Sequence, residues 1–226
     1  MLSPSRFTLT MLVSLQPGGG AALAAFRQAS GPLLARHDVR IERVIRIHGK
    51  GQIVGSNDFE QPDLIQQISL PSAEAFKAYV ADPEYQALAP ARDAGIRRMT
   101  ACAGPALDVS AIATPGQGEV AARLYGVGLV RFKPAGEAGL DAFNRQAQPL
   151  FARHGMHVES MQHVVQVMTP VGNPEGLAPQ RVVVFFLDDA ARLPAYAADP
   201  EYRHLAPLRD DGLVRYDFFL GTVPQA

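Results

Sequence analysis

A histidine next to a carboxylate can exchange protons near neutral pH, and an arginine can hold the anion that proton loss leaves. In this 226-residue chain such residues gather on three stretches that read as strands: Glu42, Arg46 and His48; Glu159 and His163; Tyr125 and Arg131. If they meet, His48 or His163 would act as base. Glu42 or Glu159 would orient it, and Arg131, Arg46 or Tyr125 would stabilise an oxyanion. Thr10, Ser14 and Asp217 would complete a substrate-contacting lining. The structural alternative pairs Glu42 with Arg46 or Arg131 as a buried network. A slip of one residue in strand register would invert the faces and disperse the set.

Other chemistry-bearing residues read as structural. His37 and His154 each end a helix, where a protonated imidazole satisfies the last carbonyls. His157 and His204 are expected at the surface, and Arg92–Asp93 and Arg209–Asp210 as stabilising ion pairs. Tyr85 and Tyr202 read as core aromatics with tethered hydroxyls. Gly18-Gly19-Gly20 reads as a loose turn, because no phosphate-loop lysine follows it. No histidine or carboxylate pattern has metal spacing, and the lone Cys102 excludes an intrachain disulfide. No metal and no cofactor are expected. A net charge of −1 with interspersed signs gives nucleic acid no basic face. No run is long enough to span a bilayer. Arg6, Phe7–Leu15 and Ala21–Ala25 mimic a short secretory signal. Their recurrence in the second half marks them as structure, and a cytoplasmic location is expected.

The elements that must position these residues come in two copies. Adding 117 to a residue number turns Ala81-Asp82-Pro83-Glu84-Tyr85 into Ala198-Asp199-Pro200-Glu201-Tyr202. The same shift carries Pro32-Leu33 and Ala35-Arg36-His37 onto Pro149-Leu150 and Ala152-Arg153-His154. One register covering both blocks marks an internal repeat. Periodicity within each copy predicts β-α-β-β-α-β, a ferredoxin-like unit. The strands fall at 7–15, 39–48, 64–70 and 96–103, and again at 124–132, 156–167, 181–187 and 213–220. Ser72 caps the second helix, and Asp82-Pro83 and Asp199-Pro200 start short helices. The expected domains are residues 1–104 and 123–226, joined by a linker over 105–122. The fold class is α+β, two ferredoxin-like repeats packed sheet to sheet around an internal cavity.

Alternation on the first strands sends Tyr125, Val127, Leu129 and Arg131 into that cavity, with Thr8, Thr10, Leu12 and Ser14 opposite. Gly126 and Gly128 would let helices pack closely. On the second strands Ile41, Ile45 and Ile47 look helix-facing, which leaves Glu42, Val44, Arg46 and His48 for the interior. Glu159, Met161, His163 and Val165 would face them. These interior positions differ between the copies while helix ends do not, a pattern suited to one asymmetric ligand.

The segment Tyr79-Val80-Ala81-Asp82-Pro83-Glu84-Tyr85-Gln86-Ala87-Leu88-Ala89-Pro90-Ala91-Arg92-Asp93, with its second copy, resembles the C-terminal motif of the DUF1330-like group of the dimeric α/β-barrel superfamily. The chain departs from that group at Ile47-His48-Gly49, where an Arg-Gly-Gly pattern is usual. The resemblance implies a barrel of two ferredoxin-like units, here from one chain. Such relatives include cofactor-free monooxygenases, cyclases, lactone isomerases, haem enzymes and proteins of no known activity. The expected function is cofactor-independent proton-transfer chemistry on a small hydrophobic, aromatic or polyketide-like metabolite. The alternative is a non-catalytic binding or stress-related protein. The expected partner is a small hydrophobic organic ligand, with the protein a monomeric pseudo-dimer or a homodimer.

Overall fold

The structure is a computed structural model, and it describes residues 6–56, 58–114, 116, 119–173 and 176–224. Pro115, Gln117 and Gly118 of the expected linker lie outside the described residues. The first half supplies β1 (Phe7–Leu15), α1 (Gly20–Ala29), α2 (Gly31–Arg36), β2 (Arg40–Val54), β3 (Leu64–Leu70), α3 (Ala73–Ala81), α4 (Pro83–Ala94) and β4 (Ile96–Leu107). The second supplies β5 (Leu124–Phe132), α5 (Glu137–Gln146), α6 (Gln148–His154), β6 (Met156–His163), β7 (Gln166–Val171), β8 (Arg181–Leu187), α7 (Leu193–Ala198), α8 (Pro200–Asp210) and β9 (Leu213–Thr222). The expected order is therefore present twice, with the last strand of each half longer than its hydrophobic run alone implies.

Local chemistry fixes the helix starts. Ser72 Oγ accepts the Ala75 amide at 3.2 Å. Asp82 and Asp199 each accept an amide at 2.9 Å, from Glu84 and Glu201, and proline follows in the first turn. The same carboxylates take His37 Nε2 at 2.9 Å and His154 Nε2 at 2.8 Å. Arg36 and Arg153 add ion pairs to them. His37 thus joins the end of α2 to the start of α4, and His154 the end of α6 to the start of α8. The Gly18-Gly19-Gly20 turn is tight: a Cβ on Gly19 would lie 1.9 Å from the Gly95 carbonyl oxygen, and Gly136 meets Gly212 in the same way. Only glycine permits that backbone approach.

The nine strands among the described residues form one antiparallel sheet ordered β1-β3-β2-β9-β5-β8-β6-β4-β7, closed by pairing of β1 with β4. Strand β2 joins the halves by pairing β3 with its first part and β9 with its second. In the second half β6 pairs with β8 and β7 with β4, dividing the same task between two strands. Closure removes the exposed edges a single half would leave. The helices cover the outer face.

Among the described residues the barrel interior is a packed core. Leu12, Ile45, Ile65, Tyr125, Val184 and Phe219 fill its middle. A satisfied polar network crosses between the halves there. Thr10 Oγ1 donates to Gln162 Oε1 at 2.8 Å, and Gln162 Nε2 donates to the carbonyls of Thr8 and Cys102 at 2.7 and 2.9 Å. Every member of such a network must be paired, because an orphaned polar group inside costs about 1–3 kcal/mol.

A β-bulge changes the expected faces of the second strands. The β2–β3 register jumps between Ile41 and Arg43, and the β6–β8 register between Val158 and Ser160. The bulged residues are Glu42 and Glu159, and the extra residue reverses the alternation beyond them. Ile41 faces the helices as expected, but Ile45 and Ile47 lie in the barrel core while Arg46 and His48 are exposed. In the second half Met161 packs toward the helices, His163 is exposed, and Gln162 points inward.

Candidate functional site

A cavity of about 690 Å³ lies between the outer sheet face and the helices of the first half. Its floor is Leu9, Met11, Ile68, Met99 and Ala101, and α1, α3 and α4 supply Phe26, Phe76, Tyr79 and Tyr85. The Tyr79 and Tyr85 rings meet at 4.7 Å, and Phe76 stacks on Phe7 at 6.0 Å. Such a wall suits a flat apolar molecule. Val165, Gln166, Met168 and Pro170, from the second half, close one side. The cavity therefore requires both halves of the chain.

The equivalent space in the second half measures only about 150 Å³. Three substitutions related by the 117-residue shift explain the difference: Phe185 stands for Ile68, Tyr216 for Met99 and Phe218 for Ala101. Their rings lie over glycines. A Cβ on Gly126 would meet Phe185 at 2.1 Å, one on Gly128 would meet Tyr216 at 2.5 Å, and one on Gly51 would meet Phe218 at 2.2 Å. Gly126 and Gly128 thus admit aromatic rings from neighbouring strands, where close helix packing was expected. The first half has Leu9 and Met11 in place of those two glycines, and its space stays open.

Polar groups edge this apolar wall. Arg92 is buried; its Nε donates to Asp93 Oδ1 at 2.6 Å and its Nη1 to the Tyr85 hydroxyl at 2.5 Å. Arg209 makes the same Asp210 and Tyr202 contacts at 2.7 and 3.2 Å, which fits the structural role expected of both arginines. Arg27 has no such duplicate, since Asn144 occupies the equivalent position. Its Nη2 donates to Gln66 Oε1 at 2.7 Å, and burial pushes its guanidinium pKa down. Burial likewise raises the Tyr79 phenol above its ordinary range, so it stays protonated.

The residues singled out from sequence are dispersed. Thr10, Ser14, Tyr125 and Asp217 do point into the barrel, but as members of a filled core. Asp217 is bound by Arg215, and Ser14 accepts from Arg98 Nη2 at 3.4 Å. Glu159 pairs with Arg43, whose guanidinium lies 4.6 Å from the Tyr125 ring centroid. Glu42 accepts a hydrogen bond from Ser69 Oγ. Arg131 is exposed and lines a small recess of about 40 Å³ at one barrel end. His48 Nε2 sits 2.8 Å from Thr222 Oγ1 on the outside. None of these residues lines the large cavity. His204 is exposed as expected, but His157 is buried at 7% exposure, stacked on Phe186 at 4.8 Å and held between Thr114 and Asp188. Inward alternation explains it, since Glu159 bulges only after this position.

The asymmetry that marks the cavity lies outside the barrel-facing positions. The helix-facing set carried the signal: Arg27 against Asn144, Met99 against Tyr216, Ala101 against Phe218.

No family model matches the sequence, and no curated protein matches it significantly. Solved structures do share its fold across nearly the whole chain. An anthrone oxidase-like protein superposes with a TM-score of 0.62 at 13% identity, covering 98% of this chain and 92% of its own. A proposed monooxygenase from Lactobacillus acidophilus gives 0.56 at 11% identity, over 96% and 93% of the two chains. A chlorite dismutase variant from Candidatus Nitrospira defluvii gives 0.58 at 8% identity, over 99% and 92%. The chain has the dimeric α/β-barrel fold shared by these proteins, completed here within one polypeptide.

Proposed function

We propose that the cavity of the first half binds a small, largely apolar molecule, aromatic or polyketide-like, and promotes its oxidation without a cofactor. The observation that carries this reading is the aromatic-walled space of about 690 Å³, kept open in one half and closed by Phe185, Tyr216 and Phe218 in the other. Names among the fold neighbours, an anthrone oxidase-like protein and a proposed monooxygenase, support the oxidative class. In such a reaction the substrate enters as its phenolate or enolate, having left its proton in solvent. It passes one electron to dioxygen, and the radical pair combines to a hydroperoxide that loses water to give the carbonyl product. Confinement among Phe26, Phe76, Tyr79 and Tyr85 would orient the substrate and exclude water.

Haem does not fit the donor set. No histidine or cysteine is among the described residues lining either cavity, so a proximal imidazole or thiolate has no source there. A non-catalytic binding role is the second reading. It is favoured by the lining's single described carboxylate, Asp93, being held by Arg92. The two halves are best explained as a tandem duplication of a DUF1330-like half-barrel with its junction within 105–122, and a cytoplasmic location accords with the buried, unpaired Cys102 thiol.

Native mass spectrometry of purified protein and of Met99→Tyr/Ala101→Phe tests the reading. A small molecule carried by the parent protein and lost from the variant supports a ligand site there. Release of the same molecule from both would place it elsewhere. Oxygen uptake with the recovered molecule then separates enzyme from binder.

A further inference from the structure

Arg27 differs from the buried Arg92 and the exposed Lys77, the other two cations lining the cavity. Arg92 has Asp93 and the Tyr85 hydroxyl. Arg27 pairs with no carboxylate among the described residues; its one side-chain hydrogen bond goes to the neutral Gln66, and its Nε is buried without a partner. A half-buried charge with a buried, unpartnered Nε and no counter-ion is costly, and an anionic ligand in the cavity would offset that cost. Lys77, on α3, lines the same cavity and adds a second positive group. The closed second half needs no such charge, and Asn144 stands there instead.

Resting on the proposed ligand site, we infer that its occupant is an aromatic or polycyclic anion, whose carboxylate, sulfonate, phenolate or enolate oxygen is held by Arg27 while its ring system lies among Phe26, Phe76, Tyr79 and Tyr85. A guanidinium suits this task because it remains charged when buried and presents several N–H donors in one plane. The lowered guanidinium pKa reflects burial alone, with no acidic neighbour offsetting it.

A matched pair of fluorescent probes tests the inference: 1-anilinonaphthalene-8-sulfonate, and N-phenyl-1-naphthylamine, which lacks the sulfonate. The parent protein should bind the sulfonate at least about tenfold more tightly, a difference worth about 1.4 kcal/mol. Arg27→Gln should abolish that preference while leaving the neutral probe's affinity unchanged, and Arg27→Lys should restore part of it. Equal affinity for both probes in the parent protein, or an unchanged preference in Arg27→Gln, overturns the inference but leaves the cavity intact as a site. If neither probe binds, or if Ala101→Phe leaves both affinities unchanged, the ligand site itself falls and the inference with it.

Discussion

Replacing Glu159 by Gln should destabilise the whole barrel, because the Glu159 carboxylate neutralises Arg43 across the two halves of the chain. The two side chains are only 14% and 15% exposed, and the guanidinium lies over the Tyr125 ring. Removing one member of a buried pair leaves the other as an uncompensated charge, at a cost of about 3–5 kcal/mol. Arg43→Met should be similarly costly, since it strands Glu159. The double variant Arg43→Met/Glu159→Met should recover most of that loss, because an apolar replacement of both partners restores a consistent core. Urea denaturation monitored by circular dichroism gives the three free-energy differences, and the double-mutant cycle isolates the coupling. The pair joins β2 of one half to β6 of the other, so both halves should lose stability in one transition. A Glu159→Gln protein within about 0.5 kcal/mol of the parent would refute the reasoning.

Three further outcomes follow from local geometry. Gly19→Ala forces backbone apart where a Cβ would sit 1.9 Å from the Gly95 carbonyl, and should cost about 1–3 kcal/mol in a thermal melt. Gly20→Ala, with nothing within 4 Å of the added carbon, should cost nothing measurable. Cys102 is fully buried and its thiol is pushed up to about 12, so thiol reagents should label it only after unfolding; rapid labelling of native protein would contradict the interior core. Asp82 and Asp199 are held below the usual carboxylate range, chiefly by His37 and His154 and then by helix-start amides. Their folded pKa values are depressed, so this stabilisation is complete above roughly pH 4 and fades as acid approaches the lower folded values. Asp82→Asn should therefore show a shallower loss of stability with acid than the parent, and an identical acid titration would refute that.

Much of the fold was legible because the sequence repeats it. The 117-residue shift, Asp-Pro helix starts and apolar strand runs gave the element order, since each signal is local and occurs twice, and the family resemblance of the Asp-Pro-Glu-Tyr segment implied closure into a barrel. The strand faces were legible only up to the bulges. Thr10, Ser14, Tyr125 and Asp217 lie inside as alternation predicts, but Glu42 and Glu159 each insert one residue and turn Arg46, His48 and His163 outward. A bulge has no fixed sequence signature, so period-two counting runs through it unawares. The cavity was missed for a different reason. Whether a space between sheet and helices stays open depends on the summed volumes of residues from several elements, such as Leu9, Ile68, Met99 and Ala101 against Gly126, Phe185, Tyr216 and Phe218. No single segment carries that sum.

A crystal structure of the protein grown with a bound aromatic acid tests the central claim most directly. The account predicts ligand density between the sheet and α1, α3 and α4 of the first half, with no ligand in the matching space of the second. Density inside the barrel, or in the second half's space beside Tyr216 and Phe218, would contradict it.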